Sequence, residues 1–406
     1  MPGPRVFRLT SLTDPALAGF DDVIDVRSPS EYADDHMPRA LNLPVLDDAE
    51  RARVGTIYKQ VSPFDARRVG GALVAANAAA HIAGPLSQRD GSWQPLLYCW
   101  RGGQRSGSFA TILAQIGWRA AFIEGGGKTW RRRVLDMVEA RGPASPLLVL
   151  DGNTGSAKTR ILGRLAGRGV QVIDLEALAN HRGSLFGAMP GGQPPQKLFE
   201  SRLAVTLARL DPARPVVLEA ESSRIGEIVV PRAMWRALCA APRVRLAVPV
   251  AARAAFSVAD YADMLVDPAR IDATVTRLSP LHPATRIAAW RALAAAGDWT
   301  TLAAQLMRDH YDPRYLSHRA RHAGMEIAKI TRSRTWRPPA RSGATPHWFT
   351  ASTTNGAGRR VWRSPTPRIG RSRGCQSDRA CFWLRKTWTT CSTAPARVAS
   401  STCTGR

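Results

Sequence analysis

The first group in the chain that could do chemistry is a cysteine between a short apolar run and a helical stretch. Cys99 opens the loop CWRGGQRS, residues 99–106, and residues 109–116 continue with a helical pattern. Loop amides, a helix N-terminus and the guanidinium groups of Arg101 and Arg105 would stabilise a thiolate there. The spacing from Cys99 to Arg105 is also C-x5-R, which lets an arginine fork hold a phosphoryl group while sulfur attacks it. The loop predicts a sulfur that either attacks a phosphate or carries a chalcogen atom.

A second segment with chemical potential is a loop between an apolar strand and a helix. Residues 152–159, GNTGSAKT, match the phosphate-binding pattern G-x-x-x-x-G-K-[ST] except that Ala157 stands at the last glycine. Loop amides would cradle phosphates, Lys158 would reach their outer oxygens, and Thr159 could bind a metal. Alanine narrows the φ freedom of the loop without removing the site. The expected phosphate-binding residues are Gly152, Gly155, Ser156, Ala157, Lys158 and Thr159.

Two later polar segments add candidates for substrate or metal binding. His181 and Arg182 lie in a stretch dense in polar residues and glycines, where His181 would serve as a general acid or base. The alternative for His181 is a structural histidine. Glu219 and Glu221 follow an apolar strand, where carboxylates hold a metal or activate water. Their alternative is an ion pair with a neighbouring arginine; Mg²⁺ is one option here, but no pattern identifies a metal site firmly.

These groups must be positioned by two α/β units, because each candidate loop follows a short apolar strand and precedes a helix. The predicted strands are 23–26, 96–98 and 121–123, then 147–150, 170–173, 215–218 and 244–248. The Ala/Leu-rich segment 280–305 is predicted to be helical. We therefore predict an N-terminal α/β domain over residues 1–140 and, over residues 146–330, a P-loop NTPase-like α/β domain with a helical C-terminal part.

The charge of the chain favours a polyanionic partner. Its formal net charge is +25, and residues 1–330 alone hold 42 basic and 31 acidic residues. A basic body suits nucleic acid, although the composition of a GC-rich genome is an equally good explanation. No secretory signal is found, nor any apolar run of the roughly 20 residues that a membrane span needs. We therefore expect a soluble, cytoplasmic protein.

Residues 331–406 differ from the rest in composition. They hold 15 basic residues and one acid, few aliphatic residues, and no apolar period. Such a segment cannot offset its ordering entropy by burial, which predicts a basic, disordered tail. A disordered arm for RNA and a frame-shifted end of the reading frame both stay open. Five tryptophans, rare in disordered arms, favour the second.

The order of the motifs resembles one known family. DVRSPSEY from Asp25, the Cys99 loop and Glu-Gly-Gly before Trp130 resemble a rhodanese-like domain, whose loop cysteine carries a sulfane sulfur. A rhodanese-like domain fused ahead of a P-loop domain, over about residues 6–330, resembles the bacterial tRNA 2-selenouridine synthase family. The segments that carry this second resemblance are CWRGGQRS (99–106), GNTGSAKT (152–159), ANHRGS (179–184), EAES (219–222) and HYDPRY (310–315).

This resemblance implies a reaction in two steps. The family replaces sulfur by selenium at C2 of the wobble 2-thiouridine in the anticodon arm of tRNA, with selenophosphate as the donor. Geranyl diphosphate first alkylates the sulfur, giving S-geranyl-2-thiouridine. Cys99 matches the family's essential cysteine, Arg101 and Arg105 would bind selenophosphate, and the P-loop would hold geranyl diphosphate. Ala157 departs from the expected pattern, as does the chain after about residue 330, which would continue as helix in the family.

Two other functions stay open on the residues alone. One is a thiosulfate-type sulfurtransferase or Cys phosphatase with a regulatory nucleotide-binding domain. The other is a non-catalytic RNA-binding protein with a degenerate P-loop. Thiosulfate turnover without tRNA would favour the first, and salt-sensitive RNA binding that is indifferent to Cys99→Ser would favour the second. The sequence predicts neither the oligomeric state nor the set of tRNAs.

Overall fold

The N-terminal part of the chain folds around a parallel sheet, as expected for an α/β domain. The computed structural model describes residues 3–320, 324–332 and 349–352. The first sheet has the strand order β1-β5-β4-β2-β3, and every neighbouring pair is parallel. Its strands are β1 (Arg5–Phe7), β2 (Asp22–Asp25), β3 (Leu41–Asn42), β4 (Pro95–Tyr98) and β5 (Ala121–Ile123). The helices are α1 (Pro29–Asp34), α2 (Asp48–Gln60), α3 (Pro63–Ala83), α4 (Gln104–Ile116) and α5 (Gly126–Leu135).

The central strand β4 shows why this sheet forms. All four of its residues are buried, as in a parallel strand covered by helices on both faces. Helix α4 returns along the sheet and ends at Gly117, whose φ of +114° closes the helix in a left-handed turn. The predicted strand 121–123 is present with the ends that were predicted. The predicted strands 23–26 and 96–98 and the predicted helix at 109–116 are present with shifted ends.

The second sheet has six strands in the order β13-β12-β11-β6-β8-β7. All neighbours are parallel except β12 and β13, which are antiparallel. Its strands are β6 (Leu147–Gly152), β7 (Gln171–Ile173), β8 (Val216–Glu219), β11 (Arg243–Ala247), β12 (Glu326–Arg332) and β13 (Phe349–Ser352), and a separate hairpin is formed by β9 (Arg224–Ile225) and β10 (Ile228–Val229). The helices of this half up to β11 are α6 (Lys158–Ala166), α7 (Leu175–Leu178), α8 (Gln196–Ala208) and α9 (Arg232–Ala240).

A helical part follows β11, as predicted. Its helices are α10 (Val250–Asp260), α11 (Pro268–Thr276), α12 (Ala284–Ala295), α13 (Trp299–Leu306) and α14 (Asp312–Ala320), with a π-helical turn at Met307–Tyr311. Met264, Ile271, Trp290, Leu302 and Leu306 form a hydrophobic cluster of their own here. This separate cluster stabilises the packing of the helical part beside the sheet.

The two α/β halves share a core. Leu9 and Trp130 of the N-terminal half belong to one apolar cluster with Phe199 and Leu218 of the second half. Two linked hydrogen bonds cross the same boundary. Trp130 Nε1 donates to Ser201 Oγ at 3.2 Å, and Ser201 Oγ donates to an Asp35 carboxylate oxygen at 2.6 Å. This contact joins the halves into one compact body.

Part of the predicted tail lies inside the second sheet. Thr331 and Arg332 end β12, and residues 349–352 pair with that strand. For these six residues the structure has strands where low order was predicted; the rest of that prediction lies outside the described residues. Among the residues that the structure describes, no helix combines the length and the apolar character that crossing a bilayer requires.

Candidate active site

Cys99 lies at the carboxyl end of β4, in the turn that leads into α4. Two glycines with positive φ shape this turn, Gly102 at +63° and Gly126 at +55°. A Cβ on Gly102 would collide with the Ile123 carbonyl oxygen, and one on Gly126 with the Cys99 carbonyl oxygen. The Gly127 amide donates to that Cys99 oxygen at 2.7 Å. The first turn of α5 therefore holds the Cys99 loop in place.

The surroundings of Cys99 favour its thiolate. Cys99 is only 4% exposed, and burial by itself raises the pKa of a thiol. Hydrogen bonds from the Ser106 hydroxyl and from the amides of Ser106 and Gly103, together with the charge of Arg105, outweigh burial and lower the pKa of Cys99. The Ser106 Oγ donates to the sulfur at 3.3 Å. The sulfur is thus prepared to act as a nucleophile or a carrier.

The two arginines of the loop differ in their freedom. Arg105 Nη1 lies 2.7 Å from a Glu31 carboxylate oxygen, and Arg51 Nε lies 2.9 Å from the same oxygen. Glu31 thereby orients Arg105, whereas Arg101 is exposed. Arg27, by contrast, pairs with Asp25 at 2.6 Å.

A cavity of about 960 Å³ opens beside Cys99. Helices α2 and α3 form one wall, and the Cys99 loop forms another. The basic residues in its lining are Arg51, Lys59, Arg67, Arg101 and Arg105. A cavity with this lining attracts anions, and the thiolate lies at its edge.

The P-loop follows β6 and opens α6, in the context that the sequence predicts. Gly155 has a φ of +80°, and Ala157 has a φ of +62° directly before the helix. Alanine has therefore adopted the left-handed conformation that glycine takes at lower cost. Lys158 Nζ donates to the Gly152 carbonyl at 2.9 Å and lies 5.8 Å from the centre of the Tyr315 ring. In this arrangement the ammonium group lies at the loop, where an outer phosphate oxygen would bind.

Three glutamates cluster beside the P-loop, and two of them contact its threonine. One carboxylate oxygen each of Glu176, Glu219 and Glu221 lies within 4.8 Å of the others. Thr159 Oγ1 donates to Glu176 at 3.0 Å and to Glu219 at 3.2 Å. Glu219 is fully buried, and its Oε1 has no hydrogen-bond partner in the described part of the chain. A hard divalent cation such as Mg²⁺ fits this set of oxygen donors, including the unpaired one.

The charges of this cluster are strongly perturbed. Burial, followed by the charge of Glu176, raises the pKa of Glu219 to about 8. Burial and the charges of Glu176 and Glu219 raise the pKa of Glu221 well above its usual range. Burial alone would lower the pKa of Lys158, but Tyr315 and the glutamates outweigh burial and raise it. Lys158 is therefore a permanent cation beside carboxyl groups that burial tends to neutralise.

His181 and Arg182 also line the P-loop cavity. The Gly183 amide donates to His181 Nδ1 at 3.1 Å, and burial lowers the pKa of His181. Both facts favour a neutral imidazole. Arg182 Nη2 donates to both carboxylate oxygens of Asp263 at 3.0 Å, and its guanidinium lies 4.9 Å from the centre of the Tyr261 ring.

The structure assembles the candidate residues into two separate cavities. Cys99, Arg101 and Arg105 line the larger one. A cavity of about 340 Å³ is lined by Gly155, Ser156, Ala157, Lys158, Thr159, His181, Arg182 and Glu221. Gly152 and Glu219 reach this second cavity through their contacts with Lys158 and Thr159. The two cavities share no lining residue.

Some residues that form the second site were not predicted from the sequence to belong to it. The buried Arg253 pairs with Asp312 at 2.6 Å and donates to the Thr154 carbonyl at 3.1 Å. Asn153 Nδ2 also donates to Asp312, at 2.7 Å. The HYDPRY segment contains Asp312, but no pattern links it to an arginine 59 residues earlier. Glu176 also belongs to this site, and no local sequence pattern singles it out.

Family models match both halves of the chain. The rhodanese-like domain matches residues 11–133, and the tRNA 2-selenouridine synthase AAA domain matches residues 145–276. The chain is 38% identical over 259 residues to the tRNA 2-selenouridine synthase of Aeromonas salmonicida (strain A449), covering 63% of this chain and 69% of that one. It is 38% identical over 240 residues to the synthase of Shewanella loihica (strain ATCC BAA-1088 / PV-4), covering 58% of this chain and 63% of that one.

Proposed function

The chain belongs to the tRNA 2-selenouridine synthase family, and on that premise we propose that it converts wobble 2-thiouridine in tRNA to 2-selenouridine in two steps at its two cavities. The observation that carries the proposal is the presence, in one compact body, of a stabilised thiolate in a basic cavity and of a P-loop cavity with a cluster of three glutamates beside it. A simple phosphatase or sulfurtransferase needs only the first of these.

In the first step, the P-loop cavity activates geranyl diphosphate. The sulfur of 2-thiouridine attacks the first carbon of the geranyl chain, and the carbon–oxygen bond to the diphosphate breaks. The diphosphate leaves with the bonding electron pair, and Lys158 and the loop amides stabilise its charge. The thiouridine loses its N3 proton, which leaves neutral S-geranyl-2-thiouridine.

Mg²⁺ fits this step as an additional ligand of the diphosphate. Glu176, Glu219, Glu221 and the Thr159 hydroxyl would hold it. The bound ion would supply positive charge to the leaving group. The chain's own contribution is to fix the oxygen donors beside Lys158.

In the second step, the Cys99 cavity delivers selenium. Selenophosphate is an anion, and Arg101 and Arg105 offer guanidinium groups beside the sulfur of Cys99. Selenium bonds to C2, the carbon–sulfur bond breaks, and the sulfur takes up the proton carried by selenophosphate, so geranyl thiol leaves as a neutral molecule. Water cleaves the selenium–phosphorus bond and releases phosphate. The first step matters because a neutral thiol leaves more easily than a sulfide anion.

The charge of the body supports tRNA as the partner. Residues 1–330 carry 42 basic and 31 acidic residues, and a basic surface binds the phosphate backbone of RNA without reading its sequence. The anticodon arm must present its wobble base to each cavity in turn. With tRNA as the substrate, the proposed site of action is the cytoplasm.

Reconstitution with purified components tests the proposal. Thiolated tRNA is incubated with the full chain and with geranyl diphosphate, selenophosphate or both, and its nucleosides are analysed by mass spectrometry. We expect geranylthiouridine with geranyl diphosphate alone and selenouridine when both are present. Absence of both products would refute the proposal. Thiosulfate turnover without tRNA would instead favour a sulfurtransferase.

A further inference from the structure

An apolar cavity opens directly from the P-loop cavity. Its volume is about 90 Å³, and its walls come from α10, α11, α13 and the turn that follows α13. Four of its lining residues are at most 5% exposed and belong to the hydrophobic cluster of the helical part: Met264, Ile271, Leu302 and Leu306. A cavity left inside a core loses packing contacts, so it is costly unless a ligand fills it.

The apolar cavity and the phosphate cradle share a wall. Thr154, Ser184, Ser257 and Tyr261 line both of them. A Cβ on Gly155 would lie only 2.9 Å from the Met307 methyl group, which lines the apolar cavity. The turn of the P-loop that would hold phosphate therefore lies against the mouth of the apolar cavity.

The mouth is polar and the interior is not. Ser184 and Tyr261 share a hydrogen bond at 3.0 Å at the mouth. Beyond it lie side chains such as Phe186, Val258 and Leu265. A molecule that binds both parts must therefore carry an anionic head and a hydrocarbon tail, joined over a short distance.

The size of the cavity selects the shape of the tail. A cavity of roughly 150 Å³ is needed to hold a benzene ring, whereas this one has about 90 Å³. A purine base is larger than benzene, so this cavity alone would not enclose one. A slim branched end of an alkyl chain does fit, with the remainder of the chain lying across the mouth.

We propose that this apolar cavity binds the hydrocarbon end of a prenyl diphosphate whose diphosphate group lies in the P-loop. The identification of the tail as geranyl rests on the proposed function. In this arrangement, α10 and α13 bind the tail of the ligand, and the P-loop binds its diphosphate.

Ala303 offers a direct way to fill the cavity. It lies on α13, lines the cavity and is only partly buried, so a larger side chain there need not disrupt the core. The next residue, Ala304, is also partly buried but does not line the cavity. Ala303→Phe and Ala304→Phe thus form a matched pair. Val258→Phe fills the cavity from α10. It provides a second, independent test if Ala303→Phe does not fold.

Calorimetric titration of the full chain with geranyl diphosphate and with inorganic pyrophosphate measures the contribution of the tail. Each buried methylene is worth roughly a fourfold gain in affinity, so wild type should bind geranyl diphosphate at least about 100-fold more tightly than pyrophosphate. Ala303→Phe and Val258→Phe should remove most of that preference and leave pyrophosphate binding unchanged. Ala304→Phe should behave as wild type.

Equal affinity of wild type for the two diphosphates would overturn the inference. So would an equal loss of both affinities in Ala303→Phe, or the same loss of preference in Ala304→Phe. These outcomes are separate from failure of the proposed function. A chain that prefers geranyl diphosphate but modifies no tRNA would refute the function and leave this cavity assignment standing.

Discussion

Ser106 is the residue that most directly controls the chemistry of Cys99. Its hydroxyl and its amide both donate toward the sulfur, and its side chain is fully buried. A buried hydroxyl that donates to a thiolate stabilises the charged form more than the neutral one. The thiolate therefore depends on a neighbour seven residues away on the first turn of α4.

Ser106→Ala is expected to raise the pKa of Cys99 and to slow its alkylation several-fold at neutral pH. The pH dependence of iodoacetamide labelling, followed for the Cys99 peptide by mass spectrometry, measures this shift. Ser108→Ala is the control, because Ser108 lines the same cavity but is exposed. An unchanged profile in Ser106→Ala would show that the hydroxyl has no influence on the sulfur.

Ala157 carries a backbone cost that glycine would relieve. Its φ of +62° is left-handed, which costs an L-residue about 1–2 kcal/mol. Ala157→Gly should raise the free energy of unfolding by about 1 kcal/mol, since glycine's greater freedom when unfolded offsets part of the gain. Urea unfolding of the variant and of wild type measures this difference in the free energy of unfolding. Ala166→Gly, at the end of α6, should be destabilising, and a loss of stability in Ala157→Gly would contradict the account.

At the level of elements, the P-loop is held by the helical part. Arg253 on α10 forms an ion pair with Asp312 at the start of α14, and the arginine side chain is only 3% exposed. Arg253 contacts Thr154 of the P-loop, and Asp312 contacts Asn153. The P-loop is therefore ordered by helices that come about 100 to 160 residues later in the chain.

Asp312→Asn should destabilise the chain by about 3 kcal/mol, because it leaves Arg253 buried without a full counter-charge. It should also weaken pyrophosphate binding, since Asn153 and Thr154 lose their anchor. Asp309→Asn is the control: Asp309 pairs with Arg286 at a more exposed site, and such pairs contribute at most about 1 kcal/mol. Equal effects of the two substitutions in urea unfolding would contradict the proposed anchor.

The elements that could be predicted from sequence are those with local signals. The buried strands before Cys99 and before the P-loop follow from short apolar runs, and the P-loop follows from its glycine and lysine spacing. The pairing of Arg105 with Glu31 and the meeting of Glu176 with Glu219 join residues 74 and 43 positions apart. Only the folded sheet brings such residues together, so no local pattern reveals them.

At the level of the whole molecule, Asp35 connects the two halves. Burial, opposed by the Ser201 hydrogen bond and by the charges of Arg131 and Arg27, raises the pKa of Asp35 to about 6. An acid with a raised pKa binds its proton more tightly in the folded chain than in the unfolded one. The stability that this group contributes is therefore present at low pH and is lost as pH rises through about 4 to 6.

Asp35→Asn should remove this pH dependence. The unfolding free energy of wild type relative to the variant should fall by up to about 3 kcal/mol between pH 4 and pH 7. Urea titrations at several pH values measure the difference. Asp34→Asn removes the same charge from an exposed neighbour and should show no such trend. A constant difference between wild type and Asp35→Asn would contradict the assigned role.

The proposed function assigns one step on tRNA to each of the two cavities. The most direct test is nucleoside mass spectrometry of thiolated tRNA treated with geranyl diphosphate and selenophosphate, using Cys99→Ser and Lys158→Ala. Cys99→Ser should accumulate geranylthiouridine and form no selenouridine. Lys158→Ala should be impaired already at geranylation. Equal loss of both steps in both variants would contradict the account.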